Sequence, residues 1–252
     1  MSGHSKWANI KHRKSAQDAR RAKVWTRLIR EVTVAAREGG GDPESNPRLR
    51  AAVYTARSNN MPNDTVEKAI KRGTGDLEGV RYEEVTYEGY GPAGVAIIVE
   101  TQTDNRNRTA AEVRHVFAKH GGKLGATGCV SYLFARKGLI VVADEDAPLD
   151  VDKAMEAAIE HGAEDVEEAE GNVVVTTAME DLHAVSGALQ AAGLPVRSAE
   201  IILEASTEVK ITDEHDAAAV LRLVGYLDDL DDVSRVSANF DIDDDLMARL
   251  DS

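Results

Sequence analysis

The chain carries one cysteine, Cys129, in 252 residues. That excludes an intramolecular disulfide and fits a reducing compartment. Aromatic residues make up only 4% of the chain, so its cores must be mostly aliphatic. No run of eighteen apolar residues is present, and no transmembrane helix is expected. The basic N-terminus leads into no apolar stretch, so it does not read as a secretory signal. Signatures of catalysis are missing as well. The seven histidines (His4, His12, His115, His120, His161, His183 and His215) show no HExxH-like spacing. There is no nucleophile elbow and no P-loop. Gly89-Tyr90-Gly91 lacks the third glycine of a dinucleotide fingerprint. Cys129 lies in CVSYLF (129–134), which reads as a strand, so its thiol is expected to be packed. Asp241, Asp243, Asp244 and Asp245 lack the glycine and glutamate of a calcium loop and read as a solvated run. These absences predict a cytoplasmic, non-enzymatic protein with no cofactor, no metal and no membrane partner.

What is present is a division of charge. The whole chain has a net charge of −14, yet residues 1–30 hold nine Lys and Arg against one acid, Asp18. Residues 1–72 carry sixteen basic and seven acidic side chains, a net of +9. The remaining 180 residues carry fourteen against thirty-seven, a net of −23. A basic segment on an acidic body is the electrostatic footprint of a polyphosphate binder. Trp7, Ile10, His4 and His12 are interleaved with the cations, and a mere solubility tail has no need of them.

Residues 15–38 read as one amphipathic helix, with Trp25, Leu28, Ile29, Val32 and Ala36 forming its apolar stripe. Arg20, Lys23, Arg27, Arg30 and Arg37 fall on the opposite face, which is expected to meet solvent. Arg21 lies toward the apolar side. Gly39-Gly40-Gly41 ends this helix. Asn46-Pro47 caps a second one, and Asp64 with Glu67 resembles a capping box for a third. Farther on, strands are predicted at 82–90 and 94–101 around a Gly91–Gly94 turn, with a helix over 109–122. The spacing then predicts strand 139–143, helix 150–161, strands 164–169 and 172–177, helix 179–192 and strand 196–204, a ferredoxin-like β-α-β-β-α-β order. Strand 209–212, helix 213–227 and strand 233–240 close the pattern.

The expected fold is therefore multidomain α+β: an N-terminal three-helix domain, then two ferredoxin-like α/β domains, one inserted in the other. The predicted boundaries are a basic arm (1–14), the helical domain (15–76), a discontinuous domain (77–133 with 205–240), the insert (134–204) and an acidic tail (241–252). Nothing in the chain announces a dimer interface, so a monomer is expected.

The candidate phosphate ligands are Lys6, Lys11, Arg13, Lys14, Arg20, Arg21, Lys23, Arg27 and Arg30, with Trp7 and His12 able to stack on a base. Eight engaged cations would give a log–log salt slope of about −6 to −7. A second candidate surface for an anion or partner is Arg106, Arg108 and Arg114. The first two are expected just ahead of a helix N-terminus near Thr109, whose amides could hold an anion. Gly121–Gly125 reads as a loop.

Several blocks resemble the YebC/PmpR family, which includes the mitochondrial translational activator of cytochrome oxidase subunit I. They are GHSKWANIKHRK (3–14), GGGDPESNPRLR (39–50), NNMPNDTVEKAIKRGTG (59–75), YEGYGPAGVAIIVETQTDNRNRTAAEVRHVFAKHGGKLG (87–125) and CVSYLFARKG (129–138). Ser15, Trp25 and Cys129-Val130-Ser131-Tyr132 depart from the common pattern without removing a cation. The resemblance implies three domains, one inserted in another, and no cofactor. It implies nucleic acid as partner: promoter DNA for members named transcriptional regulators, ribosomal RNA and the ribosome for members that ease elongation through stretches such as proline runs. A metal-dependent, structure-selective nuclease role has been suggested for some members, but no carboxylate cluster in the chain clearly supports it.

Overall fold

A computed structural model describes residues 21–143, 149–169 and 171–250. In chain order the elements are α1 (Arg21–Gly39), α2 (Pro47–Ser58), α3 (Asn63–Thr74), β1 (Glu83–Tyr90), β2 (Ala96–Thr103), α4 (Arg106–Lys119), β3 (Lys123–Leu124) and β4 (Phe134–Val142). There follow α5 (Val151–Glu160), β5 (Asp165–Ala169), β6 (Asn172–Ala178), α6 (Leu182–Ala191), β7 (Val196–Ala205), β8 (Val209–Ile211), α7 (Glu214–Asp228), β9 (Val233–Ala238), β10 (Phe240–Ile242) and α8 (Asp244–Leu250). The fold is α+β, a helical N-terminal region followed by β-rich domains. Among the described residues, 21–131 with 218–238 make one compact unit, and 132–217 with 239–250 make another.

In the first unit, α1 to α3 pack around Val32, Ala36, Leu49, Val53, Val66 and Ala69, with Trp25, Leu28 and Ile29 beside them. The α1 stripe read from the sequence is thus its packed side. Buried Asn46 fastens α1 to α2. Its Oδ1 accepts the Leu49 amide, while its Nδ2 donates to the Ala35 and Gly40 carbonyls at 2.8 Å each. The expected capping box on α3 is absent. Pro62 takes the cap position with no side-chain bond, and Asp64 instead pairs with Lys68 at 3.4 Å, one turn on. α3 approaches α1 at Gly73, where a Cβ would meet the Thr33 carbonyl oxygen and lie 2.7 Å from Ala36 Cβ. Gly73→Ala is therefore expected to cost about 1–3 kcal/mol by overpacking, read as a lower urea midpoint at unchanged m.

The sheet of this unit has the order β3-β1-β2-β9. β1 and β2 form a hairpin, Glu83 opposite Thr103 and Tyr90 opposite Ala96. β2 is central and almost wholly buried, as its unbroken AIIV run requires. β9 pairs antiparallel with β2 from far along the chain, with a bulge between Glu100 and Thr101. Residues 121–125 are not simply a loop, because Lys123 and Leu124 pair with Tyr90 and Gly89. Gly89 permits this: a Cβ there would lie 2.9 Å from the Phe117 ring.

The second unit holds the sheet β5-β6-β4-β7, antiparallel throughout. That is the ferredoxin-like order, and its core includes Ile140, Val142, Val173, Val175, Val185 and Leu189. β8 and β10 pair in parallel within this unit. Residues 244–250, expected as part of an acidic tail, form α8, and Leu246 is buried. The predicted strand at 129–134 is also replaced. Residues 131–133 form a 3-10 turn, and β4 begins at Phe134. Three amides of the preceding loop are bonded to a carboxylate, as described below, and cannot join a ladder.

Candidate nucleic-acid interface

Lys6, Trp7, Lys11, His12, Arg13, Lys14 and Arg20 lie outside the described residues. So does the side chain of Arg21, whose backbone opens α1. Lys23, Arg27 and Arg30 are described, and here the structure corrects the expectation of a solvent-facing cationic face. Lys23 Nζ donates to the Asp228 carbonyl at 2.9 Å and lies 3.7 Å from the Asp229 carboxylate. Arg27 holds both the Asp228 carboxylate, at 3.2 Å, and its carbonyl. Arg30 lies 3.1 Å from Asp232 Oδ1, donates to the carbonyls of Asp231 and Gln102, and places its guanidinium 5.2 Å from the Tyr82 ring centroid. The helical period does group these cations on one face. That face meets the aspartates at the end of α7 and just after it, about two hundred residues on, so the charge is neutralised within the unit. Arg37, two turns beyond Arg30, remains exposed and donates to the Tyr82 carbonyl.

Asp232 is the hub of this junction and is buried. Its Oδ2 accepts from Arg108 at 2.6 Å, Thr109 at 2.7 Å and Thr103 at 3.1 Å. Its Oδ1 has the Arg30 ion pair but no hydrogen bond of good geometry. Burial pushes this carboxyl upward, but the Arg108 guanidinium and the two hydroxyls outweigh it and hold the group below the usual range. A second junction centres on Arg48, which reaches Glu31 at 2.8 Å, Glu38 at 2.7 Å and Glu84 at 2.6 Å.

The second candidate surface divides. Arg106 and Arg108 lie inside the first turn of α4, not ahead of it, because Asn105 is the cap. The Asn105 side chain accepts the Arg108 amide at 3.2 Å, and the Thr109 amide bonds to the Asn105 carbonyl. Those two amides are therefore taken, and the Arg108 guanidinium is held by Asp104 and Asp232. Arg108 is a structural cation. Arg106 and Arg114 are exposed, with Arg106 only loosely placed 3.9 Å from Glu83.

The sequence reading missed a cationic, aromatic face on α2. Arg50, Tyr54 and Arg57 recur at i, i+4 and i+7 and are all exposed. Their spacing was the available signal.

No chemistry of the nucleophilic kind gathers around Cys129. Burial pushes its thiol up, and the charge of Glu88 adds to this, so the thiolate is disfavoured. Glu88 is itself buried and accepts the amides of Gly128, Val130 and Ser131 at 2.7, 2.9 and 2.8 Å. Burial would raise the Glu88 carboxyl, but these amide bonds together hold it low. Its role is to pin the loop. Among the described residues, Asp213, His215 and Asp216 bring ligand atoms within 4.8 Å of one another. The cluster is largely exposed, and Asp213 Oδ1 already caps α7 by accepting the Asp216 amide at 3.0 Å.

Family models for the TACO1/YebC protein N-terminal domain and for the TACO1/YebC second and third domain match residues 5–76 and 82–240. A protein of Idiomarina loihiensis, named a probable transcriptional regulatory protein, is 55% identical over 252 residues, covering all of both chains. One of the same name from Desulfotalea psychrophila is 54% identical over 250 residues, 99% of each chain. The crystal structure of a conserved hypothetical protein from Aquifex aeolicus superposes with a TM-score of 0.84 at 50% identity, over 90% of this chain and 93% of that one. With matches of this extent at both ends, the chain belongs to the TACO1/YebC family.

Proposed function

We propose that the protein is a non-enzymatic, nucleic-acid-binding regulatory factor of the cytoplasm, acting through the cations of its N-terminal segment. One observation carries the reading: nine Lys and Arg against one acid in residues 1–30, on a body of net −23. Neutralising phosphates with clustered cations gives affinity without sequence choice. The names of the relatives point to control of transcription, for which the family resemblance implies promoter DNA as target.

A second reading, a factor that binds ribosomal RNA and assists elongation through difficult stretches, is favoured by the state of α1. Sequence-specific duplex readers present an exposed helix to the major groove. Lys23, Arg27 and Arg30 of α1 are instead bonded to Asp228, Asp229 and Asp232. A basic segment with an interleaved Trp and His suits irregular, unpaired RNA.

Ultraviolet crosslinking in cells, followed by sequencing of the attached RNA and DNA, separates the two. Ribosomal RNA recovered at one discrete location, and lost when the N-terminal cations are neutralised, is the result expected for the translation role. Defined promoter DNA without ribosomal RNA establishes transcription control. Neither, with crosslinks at background, removes the nucleic-acid reading.

A further inference from the structure

Besides the α2 face, the first unit carries a patch of cations around a pair of stacked rings. It lies where the end of α4 meets α7. His120, the cap of α4, stacks on Tyr226 of α7, with ring centroids 4.3 Å apart and planes inclined by 16°. Tyr226 is 47% exposed. The charged groups acting on the His120 ring are Lys119, Arg222 and His115, all cationic or able to become so. Burial first, and these cations after it, hold the imidazole below its ordinary value, so the ring is a neutral plane at pH 7. Among the described residues, neither Lys119 nor Arg222 has an ion-pair partner. The helical period places Arg222, Gly225 and Tyr226 on one side of α7, and a Cβ on Gly225 would meet nothing within 4 Å. The side chain missing at Gly225 leaves the approach to the tyrosine open.

The stack joins a half-buried ring, His120, to an exposed one, Tyr226, which keeps a face open to solvent. Lys119 and Arg222 are exposed beside it and can meet an anion. A flat base and the phosphates flanking it satisfy both features at once: the ring offers a stacking face and the cations meet the backbone. An acidic peptide would use the charge and leave the plane unused. Duplex DNA keeps its bases paired and stacked away from such a face.

We propose that the α4–α7 surface, centred on the His120–Tyr226 stack and flanked by Lys119 and Arg222, is a second nucleic-acid contact that takes an unpaired base of single-stranded RNA. It is independent of the N-terminal cations.

The test uses the full chain and fluorescence anisotropy with a labelled single-stranded RNA of about twelve nucleotides, within the usual site size of such surfaces. Unlabelled duplex DNA of equal length is the competitor. Tyr226→Ala is expected to weaken binding about tenfold, whereas Tyr226→Phe keeps the stack and stays within about twofold. Lys119→Glu with Arg222→Glu is expected to flatten the log–log salt slope by about 1.4. Both charged positions are exposed, so this double variant folds even if Tyr226→Ala does not; urea midpoints check each protein. The same measurements are repeated in a chain with Lys6, Lys11, Arg13, Lys14 and Arg20 changed to Ala. Equal losses from the Tyr226 and charge-reversal variants in both backgrounds support the second contact. Wild-type affinity and slope in those variants overturn it, and leave the N-terminal reading standing if neutralising the segment alone abolishes binding. In the chain with the five N-terminal cations changed to Ala, duplex DNA competing as well as the RNA itself also overturns it.

Discussion

Asp232→Ala is expected to lower the stability of the first unit by about 3–5 kcal/mol, the usual loss when one partner of a buried ion pair is removed. The carboxylate is buried, and three donors converge on its Oδ2. Its removal leaves the Thr103 and Thr109 hydroxyls without that acceptor and the largely buried Arg30 guanidinium without a counter-charge. Asp232→Asn restores an oxygen for the hydroxyls but no charge, so an intermediate loss is expected. Arg108→Ala should cost less than either, because Arg108 remains 44% exposed and water replaces its bonds. Chemical denaturation of the three variants measures the order. The pH dependence has a definite sign. The folded carboxyl titrates below its unfolded value of about 3.9, so its contribution is complete above that value. It is lost as pH falls through the folded value. The gap between wild type and Asp232→Ala should be widest near neutrality and narrow below about pH 4. A gap that widened with acid would refute the role assigned to the carboxylate.

The parts of this fold that were legible in the sequence are those decided by local pattern. The β-α-β-β-α-β order of residues 134–205 follows from short β-branched runs such as NVVVTTA alternating with Ala-rich helices. Asn46-Pro47 announced a cap, and the Asn46 side chain makes it. What was illegible depended on partners distant in sequence. CVSYLF alternates like a strand, yet Glu88, some forty residues earlier, takes the amides of Gly128, Val130 and Ser131 and so pins the loop. KL at 123–124 becomes a strand because Gly89 leaves room for close approach beside Phe117. The cations of α1 were identified as a face correctly, but whether a charged face meets water or a carboxylate is not written in the helix that bears it. Asp228 to Asp232 read as one more acidic run in an acidic body. Arg108, which resembled an anion clamp, is held by the same Asp232.

That reassignment changes the binding electrostatics. Eight cations, the nine candidates without Arg21 on the apolar side of the helix and with Lys23, Arg27 and Arg30 among them, would give a salt slope of about −6 to −7. With those three bonded to aspartates, Lys6, Lys11, Arg13, Lys14 and Arg20 remain to meet phosphate. Five contacts from the N-terminal segment alone correspond to a slope of about −3.5 on single strands and about −4.5 on duplex. Between 50 and 200 mM salt the affinity then falls by about 100- to 500-fold. Changing all five residues to Ala should remove most of this dependence, and most of the affinity at low salt, while the urea midpoint stays where it was. The slope also reports on the junction. A wild-type value near −6 to −7 would mean that binding draws Lys23, Arg27 and Arg30 away from Asp228, Asp229 and Asp232. Asp228→Asn with Asp229→Asn would then strengthen binding, since fewer internal pairs would have to break. If the pairs persist in the complex, the same double change leaves the slope near −4 and alters stability alone.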